Sequence, residues 1–263
     1  MNSKILKTAL AGKPLSDIFI ADCHAHLDYW AATTALHSEI AEILEMMDEI
    51  GTDVICLNKW NCPDISSANN DVGKVVKKYP ERIIGFAATS TALGKKNRDE
   101  LKRCFDELGM KGIKVHCAYE RLPLRDKIHF PDYEQSLDSV WEFAAERHCP
   151  VLCHGFLTPE IAGRYPEAIF ILAHAASVRG FSLKFIEYRN VYFDTAATLV
   201  LRGNIEFLAK KVGAKRLLYG SDVPYASPAC RIGQVLAAHL SDNEFKEILG
   251  ENLARILNIQ IKK

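Results

Sequence analysis

The sequence predicts an α/β fold, specifically a (β/α)₈ TIM barrel, on three observations. Eight short apolar runs alternate with amphipathic stretches along the 263 residues, which is the strand-then-helix repeat of a barrel. The runs are nearly continuous in Ile, Val, Leu and Phe, as parallel strands covered on both faces require. Polar residues fall at the C-terminal ends of several different runs, where barrel sites are built. An open doubly wound sheet is the main competitor, but no GxGxxG follows the first run.

In order, "MNSKILKTALAGKPLSD" predicts a short helix packed under the fold. Its apolar segment is too short and interrupted for a signal peptide or a membrane span. The strands follow as "DIFIADC", "DVICLN", "RIIGFAAT", "GIKVHC", "PVLCHG", "AIFILAHA", "VYFDTAA" and "RLLYGSD". Between them helical patterns cover 36–50, 66–79, 98–108, 133–147, 159–165, 183–189 and 205–212, and 232–239 and 243–257 come after the last strand. Gly51, Gly109 and Gly213 stop three of these helices, and Pro80 follows a fourth.

Composition narrows the function classes. With 48% hydrophobic residues and no low-complexity linker, the chain reads as one domain over residues 1–263. Its 33 basic and 33 acidic side chains cancel, and the absence of a basic stripe argues against nucleic acid as the main partner. No segment suits a membrane; a small-molecule substrate is the expected partner, and a homodimer is compatible. Eight cysteines are scattered with no CxxC pair, so they read as reduced, mostly buried thiols of a cytoplasmic protein.

The stretch "ADCHAHLDYW" carries the chemistry. Successive strand side chains alternate, so His24 and His26 share one face while Cys23 and Ala25 take the other. A lone strand-end histidine is commonly a hydrogen-bonded structural residue, but here later strand ends add Lys114, His116, His154, His174, Asp194 and Asp222. In a barrel these ends ring one pocket. His24, His26, His154 and Asp222 form an N,N,N,O set for one divalent ion, Zn²⁺ first and Mn²⁺ second. A water on such an ion ionises near pH ~7, which implies hydrolysis. His174 would serve as general base or electrophile and Asp222 as a proton shuttle. Cys117 and Cys153, like Cys23, are predicted to face the helix layer. His37, His148 and His239 in helices and His129 in a loop read as surface or packing residues, and Asp28, Asp17 and Asp53 as capping or turn carboxylates.

The ordered set "DCHAH", "GIKVH", "VLCHG", "ILAHAA", "VYFDTAA", "LLYGSDVPY" and "GENLARILN" resembles the amidohydrolase superfamily, in its amidohydrolase-related branch of metal-dependent TIM-barrel hydrolases, from about Ile18 to Ile259. The resemblance implies His24, His26, His154 and Asp222 as metal ligands and His174 as the group that activates water or substrate. Binuclear members use a carboxylated lysine on the fourth strand, which would be Lys114; the resembling branch usually holds one ion, leaving Lys114 and His116 to charge balance or substrate binding. Arg179 could hold a substrate carboxylate bidentately, and the loop "NKWNCPD" with Trp30 could shape the pocket. The resemblance implies a hydrolase acting on a small carboxylic acid, lactone, ester or amide, with non-oxidative decarboxylation as the alternative. A metal-dependent deoxyribonuclease is less favoured, because that family places a Glu on the fourth strand where this chain has Lys114 and His116.

Overall fold

The computed structural model describes residues 3–27, 39–62, 64–116, 137–175, 179–196 and 201–263, with the side chains of Arg179 and Phe181 outside the description. Asp28, Trp30, His37, Cys117 and His129 also lie outside the described residues.

Eight parallel strands pair in sequence order. They are β1 (Ala21–His26), β2 (Val54–Asn58), β3 (Ile83–Ala88), β4 (Gly112–His116), β5 (Pro150–His154), β6 (Ile169–Leu172), β7 (Val191–Asp194) and β8 (Leu217–Leu218). The ring closes where Cys23 N donates to Tyr219 O at 2.9 Å, Asp222 N to His24 O at 2.8 Å and His26 N to Val223 O at 2.7 Å. The expected barrel is therefore present.

Helices α1 (Lys4–Leu10), α2 (Ile40–Ile50), α3 (Ile65–Lys78), α4 (Asn97–Asp106), α5 (Asp138–Arg147), α6 (Pro159–Arg164), α7 (Arg179–Ser182) and α8 (Asn204–Val212) precede α9 (Pro228–Leu236), α10 (Asp242–Lys246) and α11 (Asn252–Leu257). Ser3 caps α1, Asp64 caps α3 and Thr158 caps α6, each side-chain oxygen accepting a first-turn N–H. Gly51 ends α2 in the left-handed region at φ 88°, where a side chain would be strained.

Two helical expectations change. Residues 183–189 do not form a helix: α7 tightens into a 3₁₀ turn at Leu183–Phe185 and stops. The Arg216 guanidinium takes the carbonyls of Phe185, Ile186, Tyr188 and Val191 at 2.7–3.1 Å, so they satisfy a side chain instead of a helical ladder. The 243–257 stretch is helical but passes through a π turn at Glu247–Glu251. Gly250 sits there because a β-carbon would collide with the Phe19 carbonyl.

The barrel interior holds Ala21, Cys23, Val54, Cys56, Ile84, Phe86, Leu152, Ile171 and Leu218, closed at the strands' N-terminal ends by Leu253, Ile256 and Leu257 of α11. Gly112 leaves the space that the Phe86 ring fills. A larger cluster, including Val115, Trp141, Val151, Phe170 and Phe193, joins the outer strand faces to the helices.

Cys23 belongs to the interior cluster, contrary to the alternation reading. The ladder pairs Asp22 with Ile55 and Ala25 with Leu57, so Cys23 and His24 together oppose Cys56. This bulge turns both inward. Cys153 lies in the helix-side cluster as expected. All seven described cysteines are free thiols. No described helix is long and apolar enough to cross a membrane.

Candidate metal centre

Each imidazole of the site is anchored from behind. His24 Nδ1 lies 2.6 Å from Asp194 Oδ2, with both side chains fully buried. The Lys114 Nζ sits 3.1 Å from His24 Nε2. An ammonium only donates, so Nε2 accepts and Nδ1 carries the proton that Asp194 receives. His26 Nδ1 lies 3.0 Å from Asn58 Oδ1, and Asn58 Nδ2 donates to Ala25 O at 2.9 Å. That second bond fixes the amide, so Oδ1 is the acceptor and His26 Nδ1 the donor. His174 Nδ1 donates to Ala196 O at 3.0 Å. All three rings thus turn an unprotonated Nε2 inward, the arrangement that metal-binding histidines use.

Asp222 completes the group. Its Oδ1 lies 3.1 Å from His26 Nε2 and 3.6 Å from His24 Nε2. Ligand atoms of His24, His174 and Asp222 all fall within 4.8 Å of one another. The two acceptors 3.1 Å apart, His26 Nε2 and Asp222 Oδ1, repel unless a cation stands between them. Burial lowers the basicity of His26, despite the opposing pull of Asp222 and Asn58, so a proton is a poor candidate for that cation. The donor set fits a divalent metal ion.

Electrostatics support the same reading. Burial, then the Lys114 charge, pushes His24 far below the ordinary imidazole range and His154 down to about 3. Burial also lowers His116 and His174. The imidazoles are neutral and available as ligands. Burial pushes Asp222 upward, but the close approach of His26 and the charge of Lys114 outweigh it and hold the carboxyl below its usual range. Burial lowers Lys114 to about 8 against the pull of Asp222 and Asp194, leaving it mostly cationic at neutral pH. Asp194 is driven up by burial and the Asp222 charge, with Lys114 opposing.

The structure brings His24, His26, His174, Asp222 and Lys114 together. His154 packs edge-on against His174, ring centres 4.6 Å apart, and against its register partner His116 at 4.1 Å. His174 lies beyond β6 and Asp222 beyond β8, both in the left-handed region at φ 56° and 64°. Such backbone conformations are uncommon outside glycine and cluster at functional sites. Arg179 opens α7, but its side chain is outside the description. His148 caps α5 at φ 48° and His239 is exposed, both away from the site.

Sequence reasoning placed Asp194 at a strand end without giving it a role and passed over Asn58. Asn58 anchors His26 from the adjacent β2, and Asp194 anchors His24 from β7, across β8, contacts that only the closed barrel reveals. Trp60, in the loop expected to shape the pocket, stacks on His116 at 3.7 Å and 6° and presents an edge to His26 at 6.2 Å. Tyr225 lies 5.0 Å from His26.

A family model described as "Amidohydrolase" matches residues 21–259. Among curated proteins, 2-amino-3-carboxymuconate-6-semialdehyde decarboxylase of Dictyostelium discoideum is 24% identical over 226 residues, covering 70% of this chain and 62% of that protein. The chain therefore spans less than two thirds of that relative's length. The structure of 2,6-dihydroxybenzoate decarboxylase from Rhizobium aligns with TM-score 0.71 at 17% identity, over 92% of this chain and 99% of that one. That of 5-carboxyvanillate decarboxylase from Novosphingobium aromaticivorans, complexed with manganese and 4-hydroxy-3-methoxy-5-nitrobenzoic acid, aligns with TM-score 0.70 at 14% identity, over 93% and 97%. At such identities these structures establish the shared barrel.

Proposed function

We propose that this chain, which belongs to the amidohydrolase family, is a metal-dependent decarboxylase of a small carboxylic acid. The coarser expectation of an enzyme of this family stands, whereas hydrolysis gives way to the alternative reading. The named relatives are decarboxylases. The observation that carries the proposal is the convergence of the His24 and His26 Nε2 atoms on Asp222 Oδ1, at 3.6 and 3.1 Å.

His24, His26 and Asp222 would hold one divalent ion, Zn²⁺ first and Mn²⁺ second; His154, the fourth expected ligand, packs on His174, whose own ligand atom falls within 4.8 Å of those of His24 and Asp222. When bound, the ion supplies a fixed positive charge that draws off negative charge developing on the substrate. Loss of carbon dioxide leaves an electron pair on carbon, and that carbon must gain a proton. Asp222, ionised in the resting site, takes up a proton from solvent water and delivers it to that carbon. His174, held in one tautomer by Ala196 O, hydrogen-bonds the substrate and steadies it against Asp222. Lys114 is fully buried on His24, so charge balance is its role. His116 and Arg179 are left to bind the substrate, and Trp60 forms one wall.

The test is carbon dioxide release by the metal-loaded protein across a panel of aromatic and unsaturated carboxylic acids, beside hydrolysis of lactones, esters and amides. Release that falls to background in His174→Ala with the metal retained supports decarboxylation. Hydrolysis without carbon dioxide release restores the hydrolase reading.

A further inference from the structure

Asp22 lies two residues before the first imidazole, is 2% exposed, and plays no part in the chemistry above. It lines a small, mainly apolar cavity with Ile43, Met47, Ile55, Val223, Pro228 and the polar Thr52, surroundings that disfavour a carboxylate. Its Oδ1 accepts from two backbone donors, His24 N and Ser221 N, each at 3.0 Å. The Ser221 hydroxyl also bonds to the Asp22 carboxyl and accepts Val223 N at 3.0 Å.

Those bonds fall at the two places where the barrel departs from regular geometry. One is the bulge of β1, which takes Cys23 and His24 out of the ladder and leaves His24 N without a strand partner. The other is the turn after β8, where Asp222 adopts φ 64° and donates its N–H to His24 O at 2.8 Å. One carboxylate oxygen thus ties the segment that carries His24 to the segment that carries Asp222, almost 200 positions apart in sequence. Without it, both backbone N–H groups would be buried and unpaired.

We infer that Asp22 is a positioning residue for metal binding: by clamping the β1 bulge to the Ser221–Asp222 turn, it sets the separation of His24 Nε2 from Asp222 Oδ1. The inference rests on the proposed metal site. It assigns Asp22 no contact with substrate or ion. The carboxamide of Asp22→Asn keeps an acceptor oxygen for both N–H groups, whereas Asp22→Ala removes it.

The experiment is titration of the full-length protein with Zn²⁺ or Mn²⁺ alone, in competition with a chromogenic chelator, with circular dichroism and Tm on the same samples. Asp22→Ala should bind about 10–100-fold more weakly than wild type, the range typical for losing a residue that orients metal ligands. Asp22→Asn should return to within about threefold of wild type, because the acceptor is restored. Native circular dichroism with weakened binding and rescue by Asn supports a positioning role. A folded Asp22→Ala that binds as wild type does overturns it, with the metal site left standing. Wild type that binds no ion overturns the metal site and this inference together. Should Asp22→Ala fail to fold, Ser221→Ala, which deletes the hydroxyl leg and with it the acceptor of Val223 N in the same turn, decides: weaker binding with native circular dichroism supports the clamp on that turn, and unchanged binding makes Asp22 purely structural.

Discussion

Asp194→Ala removes the carboxylate that holds the first imidazole. The contact it breaks is 2.6 Å long, and both side chains are fully buried. No water reaches the abandoned His24 Nδ1–H, so the cost is that of a buried unpaired donor, about 1–3 kcal/mol. That cost falls on the tautomer the metal needs: with no acceptor behind it, the ring moves its proton to Nε2 and presents N–H where a lone pair is required. Converted to affinity, the penalty is about 5–150-fold in Kd. Asp194 Oδ1 also faces Ala175 N at 3.4 Å, so the turn carrying His174 loosens as well and places the effect toward the upper end. Asp194→Asn keeps an acceptor on the same rotamer and should lose about tenfold or less. The assay is chelator competition at fixed pH, with Tm as the control for folding. A folded Asp194→Ala variant with wild-type Kd would refute the view that Nδ1 anchoring controls the site.

Four further predictions follow from the same contacts. His24→Ala and Asp222→Ala should abolish metal retention by elemental analysis, whereas His174→Ala keeps the ion and loses turnover; full retention in Asp222→Ala would remove that carboxylate from the ligand set. Burial raises Glu100, but its hydrogen bonds from Arg103, Asn69 and Ser66 at 2.7–3.0 Å outweigh that and hold the carboxyl below its usual value. A depressed folded-state value means stabilisation that is present above the unfolded value and lost as pH falls through the folded one. Glu100→Gln should therefore cost about 1 kcal/mol at neutral pH, and acid denaturation curves should show the difference shrinking once pH falls below the unfolded carboxyl's value of about 4.3. Gly250→Ala drives a β-carbon into the Phe19 carbonyl and should cost about 1–3 kcal/mol, read as a Tm lower by roughly 2–12 °C. Trp60→Ala removes the face on which His116 stacks and should raise KM more than it lowers kcat; an unchanged KM would detach that wall from the substrate.

The barrel was legible because its physics is local. Parallel strands covered on both faces must be apolar throughout, and the segments between them must be amphipathic, so eight runs and their helices could be read from "DVICLN" or "GIKVHC" without tertiary information. The residues at the strand ends were legible for the same reason, since a polar side chain at the end of an apolar run has to face the barrel mouth. The β1 bulge was not legible: one extra residue changes which side chains face inward, and nothing in "ADCHAH" signals it. The break after α7 was hidden too, because Arg216, which takes its carbonyls, arrives from residues far along the chain. The same holds for the anchors of the metal site. Sequence alone determined that His24, His26, His174 and Asp222 crowd one end of a barrel, because strand ends converge there whatever the register. Only the tertiary structure decided that Asp194, Asn58 and Ala196 O stand behind those imidazoles and that Asp22 ties β1 to the Asp222 turn, because hydrogen bonds between strands depend on register and on backbone direction, which side-chain periodicity does not encode.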